Sequence, residues 1–397
     1  MSGWARLVVI ALCAYAPACS SAGDSRGPGN VLDDVPERHL RAVFRLGGLD
    51  APEEQVFQSE PSLTVDRKDR LYVLHRDLGL IAVFDDGGGF VRWIRGGRGD
   101  GPGEFTTAMW LGLAGDTLWV RNLTPPRISM FLADGSQVGT DLVQVTTDYR
   151  TTMGIQGISG YLQGDHAWLV PDGFVMHEEG TAPRAAFVVG DRAMEARNPL
   201  FDWRADRGRL AGTSFDPIPE PPFYDVAPDG SRILLAEWSA DTPGQLRLRS
   251  FAPDGAEAWR SSLPVPPQVV APAVLDSLVE VGRARVGEVR ERVIAAGIPP
   301  EHAPAVPTAD EVRAEAYLPE FRPPIRGVRS GLDGTIWLQR PESASLEAWV
   351  VLDDRGTPLF RVRLPAGTHL REGSRGSIWA TATGDLDVPY VIRFDIE

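Results

Sequence analysis

The chain has 397 residues, 43% of them hydrophobic and 24% charged, a globular composition rather than a disordered or collagen-like one. Its formal net charge of −14 argues against a nucleic-acid binder, which must concentrate positive charge against phosphate. It also supplies no electrostatic reason to seek anionic lipid.

The first element reads as an export signal. Arg6 precedes an apolar run from Leu7 to Ala16 that is too short to stay in a bilayer as a spanning helix. The run ends in Ala16-Pro17-Ala18-Cys19, which resembles the bacterial lipobox. That resemblance implies a signal peptide over 1–18 and acylation of Cys19, with an ordinary secretory signal cut after Ala18 as the alternative. Cys13 and Cys19 are the only cysteines, so the exported chain is expected to lack a disulfide. Residues 19–36 are polar and rich in Gly and Pro, the composition of a flexible tether. Ser20 after the cysteine resembles outer-membrane sorting and implies the periplasmic face of that membrane. The membrane is then reached through the lipid anchor only.

From residue 37 to 397 one phrase recurs: strand, Asp/Gly turn, strand, polar loop, strand, Asp-rich turn, strand. Its first copy is SLTV, RLYVLH, LIAVF, FVRWI; its second is MWLGLAG, DTLWV, RISMFLADG, SQVGTDLV. The third is read as HAWLVPDG, FVMHEEG, AAFVVGDR, AMEARNPL. Three further copies begin at Pro222, Ile325 and His369. Asp-Gly is a strong hairpin signal, because the tight turn wants positive φ. It stands at Asp86-Gly87, Asp134-Gly135, Asp172-Gly173, Asp229-Gly230, Asp254-Gly255 and Asp333-Gly334. Tyr72, Trp119, Trp337 and Trp379 fall at matching places in the second strands. Four-stranded units at this period predict an all-β propeller. The last copy lacks a fourth strand, and Leu40–Leu46 is an isolated strand able to complete it. The expected fold is therefore a six-bladed ring latched by its N-terminus, with seven blades as the alternative.

Residues 265–322 interrupt the fourth and fifth copies. Leu275, Val279, Gly282, Val286, Val289 and Val293 step by three and four, as on one face of a helix. Thr308 and Glu311 have the spacing of a capping box that opens a second helix. The apolar stripe is expected either to pack on the side or rim of the ring or to serve as a lid or partner-docking helix.

Between the first two copies stands GGRGDGPGEF. A strand, this glycine run ending in Phe105, and a further strand resemble the blade junction of NHL-repeat propellers. Gly101, Gly103, Glu104 and Phe105 are its junction residues. Together with the lipobox and the late helical insertion, the chain is similar to exported bacterial six-bladed propeller lipoproteins. The resemblance implies a fold and a compartment but no reaction.

No catalytic motif stands. The glycine run has no lysine and is followed by a strand, so it does not read as a phosphate loop. The six histidines are scattered without zinc spacing. Gly23–Gly27 matches the serine-hydrolase elbow pattern only within the tether. The ends of the second strands instead gather at the mouth of the predicted channel: His75, Arg76, Arg121, Asn122, His177, Glu178, Glu237, Trp238, Gln339 and Arg340. Such a mixed set suits an anionic or sugar-like ligand. The expected function is a non-catalytic binding module, monomeric and without a cofactor, whose partner is a protein or a glycan. The alternative is a periplasmic metal-dependent hydrolase or lactonase holding Ca2+ in the channel, for which Asn122 and Glu178 are suitable ligand types.

Overall fold

The computed structural model describes residues 30–95, 97–142, 153–155, 159–169, 172–174, 184–204, 209–210, 213–214, 218, 222–316, 318–343 and 346–397. Its six four-stranded antiparallel sheets are the blades of a propeller. From the inner strand outward, blade 1 comprises Ser62–Val65, Leu71–His75, Leu80–Phe84 and Phe90–Arg95, and blade 2 comprises Ala108–Ala114, Thr117–Asn122, Arg127–Leu132 and Gln137–Leu142. Blade 4 comprises Phe223–Val226, Ile233–Glu237, Gln245–Phe251 and Glu257–Pro264, and blade 5 Gly327–Ser330, Ile336–Ser343, Leu346–Leu352 and Pro358–Arg363. Blade 6 takes Thr368–Gly373, Ser377–Thr383 and Pro389–Ile396 from the C-terminus, and its outer strand, Leu40–Leu46, from the N-terminus. The latch runs antiparallel from Leu40 opposite Ile396 to Leu46 opposite Val391. Phe44 meets the Trp379 ring edge-on at 5.5 Å.

Blade 3 departs from the sequence reading. His166–Leu169 is the second strand, not the first; Gly160–Leu162 is the inner strand, and Arg184–Asp191 and Arg197–Arg204 complete the sheet. The turn joining the first two strands has the order Gly164-Asp165, both at positive φ (73° and 66°), instead of Asp-Gly. At Asp134-Gly135, Asp229-Gly230, Asp254-Gly255 and Asp333-Gly334 only the glycine is left-handed, so the reverse dipeptide makes a different turn with both central residues left-handed. Asp172-Gly173 is no hairpin turn within the blade: Asp172–Phe174 pairs with Met153–Ile155 in a separate two-stranded ribbon.

The tether expectation is also revised from Asn30 onward. Leu32 is 0% exposed, seated among Leu234, Leu248, Ile325 and Val350 of blades 4 and 5 and the segment before blade 5. Asp33 pairs with Arg340 at 2.9 Å, and Glu37 holds Arg361 and Arg363 of the outer strand of blade 5. Composition suggested a linker, but Val31, Leu32 and Val35 are spaced so that they can enter a groove that exists only once the blades are assembled.

The junction loop is a joint. Gly97, at φ +87°, donates to the Gly79 carbonyl and accepts from Phe105 N–H at 2.8 Å. Arg127 donates to the carbonyls of Gly99, Asp100 and Glu104, and the Glu104 carboxylate accepts from Gly101 N–H. Phe105 is fully buried, edge-on to Phe131 at 5.8 Å.

The insertion forms helix α1, Pro272–Ala295, and helix α2, Ala309–Glu315, with the predicted capping box at Thr308 and Glu311. Val279 and Val286 of α1 pack on Val312 and Ala316, so the stripe is covered by the second half of the insertion itself. Gln268–Val269 pairs with Phe321–Arg322 and closes the base of the excursion.

Candidate ligand site in the channel

The inner strands enclose a channel whose two ends differ. On one face the turn of blade 4 reaches across the ring. Gly115 N–H of blade 2 donates to the Asp229 carbonyl at 2.7 Å, and Gln163 N–H of blade 3 donates to Gly230 at 3.0 Å. Arg67 of blade 1 pairs with the Asp229 carboxylate from the opposite side. Gly230 has φ +69°, and a Cβ there would lie 3.1 Å from both the Leu113 carbonyl oxygen and Leu162 Cα, so only glycine lets the turn seat this deeply. Burial raises the Asp229 pKa, but bonds from Ser231 and Arg67 outweigh it and hold the group below the usual carboxylate range. This turn forms a floor.

The other face is open. A mouth cavity of about 580 Å³ is lined by residues of blades 4, 5 and 6 and by Glu60. There His369 Nδ1 lies 2.7 Å from Glu347. Arg371 pairs with Glu60, and both bond the Thr381 hydroxyl. Burial opposes ionisation of Glu60, but its bonds from Thr381 and Arg371 prevail and lower its pKa.

Between mouth and floor lies a lumen of about 290 Å³ lined by inner strands of all six blades. Its two halves differ chemically. At the level of Tyr72, Trp119, Trp168, Trp337 and Trp379, the inner-strand partners are Thr64, Gly112, Gly160, Arg329 and Glu372. Blades 2 and 3 thus carry glycine where blades 5 and 6 carry charge. A Cβ on Gly112 would stand 2.3 Å from Trp119 Cζ2, and one on Gly160 2.8 Å from Trp168 Nε1. The missing side chains let both indoles lean inward. Among the described residues, the buried Nε1–H groups of Trp119 and Trp168 have no hydrogen-bond partner.

The charged half comes from three blades. Arg329 Nη1 donates to Asp225 Oδ1 at 3.1 Å, and Ser330 N–H donates to Asp225 Oδ2 at 2.7 Å. A register shift between Leu370 and Glu372 inserts an extra residue in the inner strand of blade 6, so Arg371 and Glu372 both line the lumen. Burial raises the Asp225 pKa against the opposing pull of Arg329. Burial, and then the Asp225 charge, push Glu372 well above the ordinary carboxylate range. Asp225 has an ion-pair partner and a backbone donor, so of the two it is held more readily in the charged form, and Glu372 keeps its proton to higher pH.

That assignment has a measurable consequence. The folded pKa of Glu372 lies above its unfolded value near 4.5. The native state therefore holds a proton that the unfolded chain has lost, and stability falls as pH rises between those two values. Glu372→Gln removes this dependence. The variant should match the native protein near pH 4 and exceed it at pH 7.5 by about 1–3 kcal/mol in urea unfolding, the scale of a buried unsatisfied group. Equal differences at both pH values would contradict the assignment.

The residues singled out from sequence are distributed as follows. Gln339 lines the mouth. His75 and Arg76 line a separate cavity of about 300 Å³ under Val56 and Phe57. The His75 ring packs on Phe57 and Trp93, and burial lowers its pKa. Arg121 lies over the Trp110 ring at 4.7 Å. Asn122 accepts from Thr106 and Thr107 N–H and donates to the Thr124 and Pro125 carbonyls, which commits its side chain to a turn. Trp238 Nε1 donates to the Pro243 carbonyl, and Arg340 binds the Pro324 carbonyl and Asp33. Glu237 lies 3.8 Å from Arg249 on the blade 4 surface. His177 and Glu178 lie outside the described residues. Sequence reasoning did not single out Asp225, Arg329 or Glu372. A signal was available: in a propeller, a charge inside an inner-strand phrase faces the axis.

No known family matches the chain, and no curated protein does. Among solved structures it is similar to a DUF4221 family member from Bacteroides vulgatus, at 11% identity over 91% of this chain and 99% of that one, with a TM-score of 0.48. A protein from Bacteroides fragilis named as exported aligns at 10% identity over 91% and 98%, TM-score 0.44. A gluconolactonase from Xanthomonas campestris aligns at 10% over 85% and 88%, TM-score 0.38.

Proposed function

We propose that this protein is a lipid-anchored, non-catalytic binding module of the cell envelope, with Cys19 as the acylated residue and the propeller channel as the ligand receptacle. The observation that carries the reading is the blind channel, open at a polar mouth and stopped by the blade 4 turn. A cavity with one entrance holds a ligand rather than passing one through. Among the described residues no group of three or more His, Cys, Asp or Glu side chains is placed to hold a metal. Of the two residues named for the hydrolase alternative, Asn122 has its side chain committed to a turn, and Glu178 lies outside the described residues. Among the same residues no helix is long and apolar enough to cross a membrane.

Two measurements test this. Cys19→Ala should move the protein from the membrane fraction to the soluble fraction; continued sedimentation with membranes defeats the anchor. Elemental analysis of the purified mature chain should find no stoichiometric divalent cation. Tightly held calcium at one per chain would overturn the non-catalytic reading in favour of the metal-dependent one.

A further inference from the structure

The receptacle reading, on which this inference rests, leaves the ligand open, and the lumen narrows it. Each lumen arginine already has an acid: Arg329 pairs with Asp225, and Arg371 with Glu60. A small anion would find no unbalanced positive charge inside. The aromatic half is equally unsuited to a cation, because guanidinium groups already occupy two of its rings: Arg121 lies over Trp110 at 4.7 Å and Arg192 over Tyr161 at 5.3 Å. A metal lacks a donor set among the described residues.

What remains is hydrogen-bonding capacity without net charge. Asp225 has spare acceptor lone pairs beyond its bonds from Arg329 and Ser330. Arg329, whose side chain is 41% exposed, presents further N–H donors. Among the described residues no side chain hydrogen-bonds the Glu372 carboxyl, which Arg329 and Arg371 reach only through their charge. On the side of blades 2 and 3 the lumen is lined by the Trp119 and Trp168 indoles. Donors and acceptors on one wall and flat apolar surface on the other match a ring with hydroxyls at its edge and C–H bonds on its face. We propose that the lumen binds a neutral saccharide unit, its ring lying against the indoles of blades 2 and 3 and its hydroxyls bonded to Asp225, Arg329 and Glu372. Lumen and mouth share Tyr224, Arg329 and Arg371 in their walls, so a chain entering by its end can place one unit in the lumen and the next in the mouth.

The test is a tryptophan-fluorescence titration of the mature chain, because the proposed contact surface is its own reporter. The probes are methyl glycosides of glucose, galactose, mannose and N-acetylglucosamine, their di- and trisaccharides, and glucuronate and glucosamine as charged counterparts. At least one neutral saccharide should bind and shift the emission. Trp168→Phe should shrink the signal. Glu372→Ala should weaken binding about tenfold or more, the scale of one lost hydrogen bond to a buried partner. Glu372→Gln keeps a donor and should restore affinity to within about threefold of native. Urea unfolding of each variant separates lost binding from lost fold. If no neutral saccharide binds, or if Glu372→Ala binds as tightly as the native chain, the inference fails. If glucuronate or glucosamine binds more tightly than its neutral parent, neutrality is refuted while the receptacle reading survives. Failure of that reading would instead be seen as bound calcium in the elemental analysis.

Discussion

Deleting residues 37–47 is expected to destabilise the protein by at least about 4 kcal/mol, the largest effect foreseen here. The deletion removes the outer strand of blade 6, paired from Leu40 to Leu46 with Pro389–Ile396. Each net hydrogen bond lost is worth about 0.5–1.5 kcal/mol, and the burial of Leu46 and the Phe44–Trp379 contact are lost as well. It also removes Glu37 from Arg361 and Arg363. Against a typical total of about 5–15 kcal/mol this is a large fraction. The loss should appear as a lower midpoint in urea unfolding, and as aggregation through the bared edge of Pro389–Ile396. Because the truncated chain could fail to accumulate, Leu46→Ala gives a graded version, costing about 2–4 kcal/mol as a buried leucine truncation does. An unchanged midpoint in both would mean that the latch does not hold the ring.

The second large effect concerns the charges of the lumen. Asp225→Ala leaves Arg329 without its counter-ion and Ser330 N–H without its acceptor. Removing one partner of a fully buried pair costs about 3–5 kcal/mol. The Arg329 side chain is 41% exposed, so solvent in the lumen screens it and about 2 kcal/mol is the better expectation. The loss should also be softened by Glu372. The Asp225 charge helps to keep Glu372 protonated while Arg329 pulls the other way. Without Asp225, burial alone opposes the pull of Arg329, so Glu372 should ionise more readily and act in part as the counter-ion of Arg329. The double variant Asp225→Ala/Glu372→Gln should then lose more stability than the sum of the single changes, measured by urea unfolding at pH 7.5. Additivity would show that the three side chains do not act as a unit.

How much of this was legible in the chain differs from element to element. Hairpin chemistry is local, so Asp-Gly turns and aromatics such as Tyr72, Trp337 and Trp379 located five of the six blades at their observed strands, and the unpaired Leu40–Leu46 foretold the closing strand. Where the turn was written in reverse, at Gly164-Asp165, the reading of blade 3 misplaced its first two strands, while its third and fourth stand where expected. The capping box of α2 was equally local and equally legible.

The lumen was not legible in the same way. Asp225, Arg329 and Glu372 stand 104 and then 43 positions apart, and they meet because inner strands of blades 4, 5 and 6 are neighbours around an axis. No spacing rule along the chain records that neighbourhood, and the second-strand ends drew attention outward to residues such as Asn122 and Arg340, whose bonds hold turns and segments together. The floor built by Asp229 and Gly230, and the docking of Leu32, have the same origin, since each needs a surface that several blades create only once assembled. The sequence by itself determined the repeating unit, its turns and the latch, because hydrogen bonding and φ preferences act over a few residues. Only the tertiary structure decided where charge and indole meet, because ring closure alone sets the distances between blades.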